Sequence, residues 1–403
     1  MNVSVGEASA SATRSFRKYF ALNGNVMAAA AAVGGMSLGE SLWTRFLPKY
    51  LESLGAPVTA IGLFGTTKDF LDGVYQYPGG WLGDRLGRRF ALVLLICAAS
   101  VGYLLYWSAA SWHWAFAGLL FAMAWSSMAS PTLFSIIGDA LPVHQRAMGF
   151  TVQAIVKRIP IMIAPTLGGL VIAARGIQSG IRTLLLISVV LALASAAASR
   201  LITIGRIAGA PIGIAGVWSS LPHELKRLLL SDVFIRTCEG MVDVFLVLYV
   251  TNVTGLSAPR FGVLLAIQAL TSIAVYIPAS RWSDRSRRKP FITATFLLFA
   301  LFPLAVIVSR TMWSLLAAFA IGGLREVGEP SRKAMIVGLA QPALRGRTIG
   351  LYYLVRSLAI SPAAFVGGLL WTIEPAVPFV TAGLCGLVGT AVFVLTVDER
   401  SAA

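Results

Sequence analysis

A charged decapeptide, Gly80-Trp81-Leu82-Gly83-Asp84-Arg85-Leu86-Gly87-Arg88-Arg89, breaks an otherwise apolar chain, and a second follows almost half a chain later: Ser280-Arg281-Trp282-Ser283-Asp284-Arg285-Ser286-Arg287-Arg288-Lys289. The apolar stretches on either side run to about 20 residues, the length a helix needs to cross a bilayer. A charged segment repeated at half-chain spacing between such stretches points to two membrane bundles moving against each other. Of 403 residues, 57% are hydrophobic and 12% charged. Soluble domains carry about 25% charged residues, so lipid must be the solvent for much of this surface. In lipid, backbone polar groups have to be satisfied internally, and helices do this within one segment.

Charged and Pro/Gly clusters divide the chain into twelve apolar segments. These are 24–47, 57–79, 90–109, 113–137, 147–173 and 180–200, then, after a polar connection at 201–227, 228–252, 259–279, 290–309, 312–337, 346–373 and 377–397. The expected domains are an N-terminal six-helix bundle with a short cytoplasmic tail (1–200), the connection (201–227) and a C-terminal six-helix bundle (228–403). The formal charge of +16 would suit nucleic acid in a soluble protein; here basic cytoplasmic loops account for it. With both termini in the cytoplasm, cytoplasmic segments receive 19 basic residues and outside loops five. That bias sets an orientation expected in a bacterial inner (plasma) membrane. Cys97, Cys238 and Cys385 lie inside apolar segments without metal-ligand spacing, and three histidines are scattered near segment ends. No disulfide framework, metal site or cofactor is expected.

A shift of 199–200 positions superposes the halves. Glu40, Phe46, Leu47 and Tyr50 fall on Glu239, Phe245, Leu246 and Tyr249. Asp84-Arg85 falls on Asp284-Arg285, Lys157 on Arg356, and Gly168-Gly169 on Gly367-Gly368. Parallel six-helix repeats form a recognised transporter architecture, with the substrate site near mid-membrane between them.

On these residues the chain resembles the major facilitator superfamily over nearly its whole length. Residues 80–89 match that family's loop signature, G-x-L-x-D-R-x-G-R-R/K, and the 280–289 copy keeps Asp284, Arg285, Arg288 and Lys289. The resemblance implies an all-α membrane protein of twelve transmembrane helices in two pseudo-symmetric bundles. It also implies a gating loop made of Gly80, Gly83, Asp84, Arg85, Gly87, Arg88 and Arg89 with Asp284, Arg285 and Arg288. Ala164-Pro165-Thr166-Leu167-Gly168-Gly169 is similar to the end of the family's antiporter motif, through Pro165, Gly168 and Gly169. The family's arginine motif is missing from span 4, where Trp125-Ser126-Ser127 stands; a related arrangement, Leu324-Arg325-Glu326-Val327-Gly328, lies in span 10.

The helix charges carry the remaining information. A charged residue at mid-bilayer costs about 2.5–3.5 kcal/mol on insertion scales, so these residues must face protein or water. Asp69, Asp72 and Gln76 share one helix face, as do Arg236, Glu239 and Asp243. At i, i+4 spacing Lys68 reaches Asp72, and Arg325 reaches Glu329. Arg332 and Lys333, near a helix end, fit snorkelling. Candidates for substrate or proton coupling are Glu40, Asp69, Asp72, Glu239, Asp243, Arg325, Glu326 and Glu329. Candidate anion contacts are Lys157, Arg158, Arg236 and Arg356. The same charges also fit helix-stapling ion pairs without any ligand.

The expected function is a secondary active transporter moving a small polar or charged solute by alternating access. Proton coupling is expected, with an antiporter or exporter favoured by the partial motif. The expected partners are the solute, protons and the lipid bilayer, without nucleic acid and as a monomer. No G-x-x-x-x-G-K-S/T loop is present for ATP. An enzyme acting on lipid would need a nucleophile–base pair or metal cluster, and none is evident. A non-transporting membrane sensor or scaffold on the same fold stays open as the alternative.

Overall fold

The computed structural model describes residues 24–129, 132, 133, 136, 143–203, 221–285, 287–339 and 345–397. These residues are helical throughout, with no strand among them. In the first half, α1 is Gly24–Ser53, α2 is Val58–Leu86, α3 is Arg88–Ser108, α4 is Trp112–Met123 with a π-turn at Ala124–Met128, α5 is Val143–Arg175 and α6 is Ile177–Ser199. In the second, α7 is His223–Asp243, resuming at Leu246–Leu248 and closing with a π-turn at Tyr249–Val253, and α8 is Ala258–Arg285. Next come α9 (Lys289–Val308), α10 (Met312–Leu324 and Glu329–Leu339), α11 (Arg345–Ile360 and Ala363–Trp371) and α12 (Val377–Thr396).

Eight of these helices are long and apolar enough to span a bilayer on composition alone. The other four, α2, α4, α7 and α10, include the three richest in internal charge. They are transmembrane by company: α4, α7 and α10 pack chiefly among their own six helices, and α2 packs chiefly against α11 of the other half. Large apolar side chains such as Val190, Leu193, Leu384 and Leu395 face outward, toward the lipid.

The first charged decapeptide does not form a loop. Helix α2 runs unbroken through Gly83 and Arg85 to Leu86, and α8 likewise runs through Asp284 to Arg285. At about 1.5 Å per residue, the 29 residues of α2 project well beyond a hydrocarbon core about 30 Å thick. Charged residues in that overhang meet water, so nothing forces the helix to end at the membrane surface. The turn is confined to Gly87, whose φ of 88° is costly for any residue with a Cβ. Arg88 then starts α3 and is buried. Gly83 packs against Thr132, where an added Cβ would stand 2.5 Å from Oγ1.

The halves meet along two seams, α2 with α11 and α5 with α8, and the duplication reappears in both at atomic detail. On one seam an added Cβ at Gly62 would stand 2.6 Å from the Ala364 carbonyl; on the other, Gly262 has the same clearance from the Pro165 carbonyl. Gly368 approaches Val58 as Gly169 approaches Ala258. Each of these four residue pairs maps onto its counterpart by the offset seen in the sequence. Of the antiporter-like residues, Gly169 allows α5 onto α8 and Pro165 faces Gly262 at this seam, whereas Gly168 allows α5 onto the Leu42 carbonyl of α1 within the first half.

Equivalent seams should respond equivalently to added bulk. Gly62→Val and Gly262→Val are each expected to lower unfolding stability in detergent by about 1–3 kcal/mol, the usual cost of overpacking. Unchanged thermal unfolding in both would contradict the close approach.

Candidate functional site

Four of the helices that contribute to the site, α1, α4, α7 and α10, have irregular backbones near their middles. A 3₁₀ turn at Thr44–Phe46 interrupts α1, and α7 breaks at the equivalent Val244 and Phe245. The π-turn at Ala124–Met128 in α4 corresponds to the break at residues 325–328 in α10. Non-helical backbone at membrane depth is tolerated only where protein or a wet cavity covers it, so these breaks turn inward. In α10 the freed Gly328 N–H is satisfied at once: it donates to Thr295 Oγ1 at 2.6 Å.

In the second half the charges form one connected network. Asp232 of α7 is fully buried, and its Oδ2 accepts from Arg332 Nη1 at 2.7 Å and from the Tyr352 hydroxyl at 3.0 Å. Arg356 Nη1 approaches the same oxygen at 3.5 Å. Arg332 also donates to both oxygens of Glu329, at 3.2 and 2.9 Å. Arg236 binds Glu329 on one side and Glu239 Oε2 on the other, the latter at 2.7 Å. Arg325 completes the chain with a 3.0 Å contact to Glu239 Oε1, its guanidinium 4.7 Å from the Phe299 ring centre. Arg332 is 2% exposed and Glu329 4%; Coulomb attraction at such depth far exceeds its value in water.

The first half is built differently. Tyr103 donates its hydroxyl to Glu40 Oε1 at 3.0 Å, and Ser127, lifted by the π-turn, donates to Asp72 Oδ1 at 2.6 Å. Neither carboxylate forms an ion pair among the described residues. Lys68 lies 3.5 Å from Asp69.

Charged contacts also join the halves. Arg45 of α1 pairs with Asp243 of α7 at 2.6 Å. Asn252 accepts from Lys49 and donates to Glu52 Oε1 at 2.7 Å. Both contacts lie toward the bundle end where α1 meets α2. Nearer the middle, Arg158 of α5 donates to Ser272 of α8 at 3.1 Å and lies 3.8 Å from Glu326.

Every candidate coupling residue thus has a definite place: Glu239, Glu329 and Arg325 in the network; Asp243 and Glu326 across the halves; Glu40, Asp69 and Asp72 in the first half. Of the candidate anion contacts, Arg236 and Arg158 are engaged, Arg356 is partly engaged, and Lys157 has no hydrogen bond or ion pair among the described residues. Of the charged decapeptides, Gly87, Arg88 and Arg89 stand at the α2–α3 turn, and Arg288 stands just before α9. The side chains of Asp84, Asp284 and Arg285, and the surroundings of Gly80, lie outside the described residues.

Three sequence expectations change. Lys68 pairs with the adjacent Asp69 instead of Asp72, because Ser127 takes Asp72. Arg325 reaches Glu239 on α7 instead of Glu329, because the break at 325–328 removes the i, i+4 geometry. Arg332 does not snorkel; it is the most deeply buried cation of the network. Asp232 went unread in the sequence, although it extends the Arg236–Glu239–Asp243 face by one turn, at i−4 from Arg236.

Removing one member of a buried ion cluster leaves its partners uncompensated. Asp232→Ala should therefore cost about 3–5 kcal/mol of unfolding stability, and Asp232→Asn less. A double-mutant cycle with Arg332→Gln, read by thermal unfolding in detergent, should show coupling; strict additivity would mean that the two do not interact.

Comparison with known proteins fits this architecture. The Major Facilitator Superfamily profile matches residues 27–221 and 228–403. An uncharacterized MFS-type transporter of Methanocaldococcus jannaschii is 22% identical over 360 residues, 85% of this chain and 87% of that protein. A POT family transporter solved with 5-aminolevulinic acid superposes with a TM-score of 0.77 at 13% identity, covering 92% of this chain and 96% of that one. A bacterial homolog of the human lysosomal transporter Spinster, inward-facing and occupied, gives 0.73 at 14% identity, covering 93% and 97%.

Proposed function

Because the chain belongs to the major facilitator superfamily, we propose that it is a secondary active transporter moving a small polar or charged solute by alternating access, coupled to protons. The observation that carries this reading is the pair of equivalent glycine seams enclosing a charge network. Each half is internally tied, and the ties between halves are few and exchangeable. Rocking about the seams exchanges those ties without unfolding either bundle. The two lobes are then residues 1–200 and 228–403, joined by 201–227, with both termini on the cytoplasmic side of a plasma membrane and the protein acting as a monomer.

Arg45–Asp243 and the Lys49–Asn252–Glu52 group then lie on the outer side and hold it closed. Breaking them favours the opposite state, by as much as they contributed to this one. Gly168 and Gly169, with Pro165, support an antiporter by motif similarity.

Proton coupling requires a carboxylate that can lose its charge and stay satisfied. Glu40 and Asp72, held by hydroxyl groups, meet that requirement; a neutral acid still accepts from Tyr103 or Ser127. Glu239 and Glu329, each gripped by two guanidinium groups, do not, because protonation would strand those cations.

In proteoliposomes under an imposed pH gradient, the protein should move at least one solute from a broad panel of polar and charged compounds. Glu40→Gln and Asp72→Asn should retain gradient-independent exchange of that solute and lose most gradient-driven uptake. No flux of any solute, with or without the gradient, would overturn the carrier reading in favour of a sensor or scaffold; unaltered gradient-driven uptake in both variants would overturn the proton assignment alone. For the gate, Asp243→Asn should lengthen the distance between spin labels at Leu54 and Thr254. An unchanged distance distribution would remove Arg45–Asp243 from the gate.

A further inference from the structure

The two seams share their glycines but differ in how the backbone beside them is satisfied. On the α2–α11 seam the Phe365 backbone N–H of one lobe donates to Thr66 Oγ1 of the other at 3.0 Å. That donor comes from a break in α11, between its segments Arg345–Ile360 and Ala363–Trp371. Pro362 stands in the break. It has no N–H, and its ring excludes the Leu358 carbonyl one turn back; Ser361 Oγ donates to that carbonyl instead, at 3.0 Å. The regular ladder holds on both sides, with Ser361 N–H on the Ser357 carbonyl at 3.1 Å and Val366 N–H on the Pro362 carbonyl at 3.0 Å. The acceptor freed by the break is thus satisfied within α11. The Phe365 N–H, which a continuous helix gives to the Ser361 carbonyl, is satisfied from the opposite lobe.

The other seam is an internal control. Thr66 maps onto Ala266 by the offset that relates Gly62 to Gly262, and Phe365 maps onto Thr166 by the offset that relates Ala364 to Pro165. Ala266 has no hydroxyl, and α5 runs helical from Val143 to Arg175 through Pro160 and Pro165, which flank the position equivalent to Pro362. Proline alone therefore does not break a helix at this level. The break, and a hydroxyl that takes backbone N–H across the seam, occur together at one seam and are both missing from the other. Packing shows what the break achieves. The outer segment of α11 lies against α7 of its own lobe, where an added Cβ at Gly367 would stand 2.3 Å from the Met241 carbonyl. It also lies against α2, where one at Gly368 would stand 3.1 Å from the Val58 carbonyl. Bending lets one short helix press on both lobes.

We infer that Thr66 is a positioning residue for the lobes: by accepting the Phe365 N–H it holds α11 bent and ties that bend to contact with α2. When α2 moves away, the N–H returns to the Ser361 carbonyl and α11 straightens, so neither state strands a backbone donor at membrane depth. This deepens the carrier reading and rests on it only for the use of the motion in transport; the latch itself is measured without a solute.

The test uses the full chain in nanodiscs, with spin labels at Leu54 in the first lobe and Ile373 at the outer end of α11. Thr66→Val keeps the shape of the side chain and loses the acceptor. It should move the ratio of short-distance to long-distance populations toward the long one about fivefold, the net effect of one hydrogen bond, and Thr66→Ser should not. Pro362→Ala lets α11 close without the hydroxyl, so Thr66→Val added to it should produce no further shift. If Thr66 acted only by packing, Thr66→Val would have the same effect in both backgrounds. Should Thr66→Val not fold, Thr66→Ala in the same two backgrounds carries the comparison. An unshifted distribution in the variant without a hydroxyl, an equal shift in Thr66→Ser, or additivity with Pro362→Ala would overturn the assignment. The expected shifts without flux of any solute in proteoliposomes would count against the carrier and leave the latch standing; flux with unshifted distances would count against the latch and leave the carrier standing.

Discussion

The structure depends on the need to pair charge inside a low-dielectric bundle. Asp232 shows the constraint most plainly: no water reaches it, and three guanidinium groups from three helices, α7, α10 and α11, converge on it. An isolated carboxylate at that depth would cost many kcal/mol or lose its charge. With its arginines it becomes the point at which α7, α10 and α11 are fixed relative to one another. Glu329 and Glu239 extend the same logic along α7 and α10, so the second lobe is a rigid, ion-tied body.

The first lobe solves the same problem with neutral donors. The Tyr103 and Ser127 hydroxyls hold Glu40 and Asp72, where arginines grip Glu239 and Glu329 in the second lobe. The two lobes are copies of one scaffold that carry different side chains at equivalent positions. Glu40 and Glu239 are equivalent in sequence, yet one meets a phenol and the other two arginines. Backbone irregularities were retained at matching positions in α1 and α7 and in α4 and α10. Inner helices that bend at the same level can leave room between the lobes while α2–α11 and α5–α8 stay packed at the glycine seams.

Much of this was legible in the sequence, for reasons that can be named. Apolar segments of bilayer length are fixed by the hydrogen-bonding demand of lipid, so their number and order follow from hydropathy. The offset of 199–200 residues survives because helix lengths and seam glycines are constrained by close packing, which also explains why Gly168-Gly169 and Gly367-Gly368 match. The charged decapeptides were visible as markers of the helix ends, but not as helix: glycine and charge read as loop, whereas an overhanging helix in water accepts both.

Pairing was beyond the sequence. Spacing along one helix offered Lys68–Asp72 and Arg325–Glu329, and the fold rejected both, since partners on neighbouring helices, Ser127 and Glu239, were better placed. Asp232 and Arg332 are 100 residues apart, and no local pattern links them. The sequence by itself determined that charges must lie inside a duplicated helical bundle, because residue types and apolar length are properties of a single segment. Which charge meets which was decided only by tertiary structure, because ion pairing depends on distances between helices and not on positions along one.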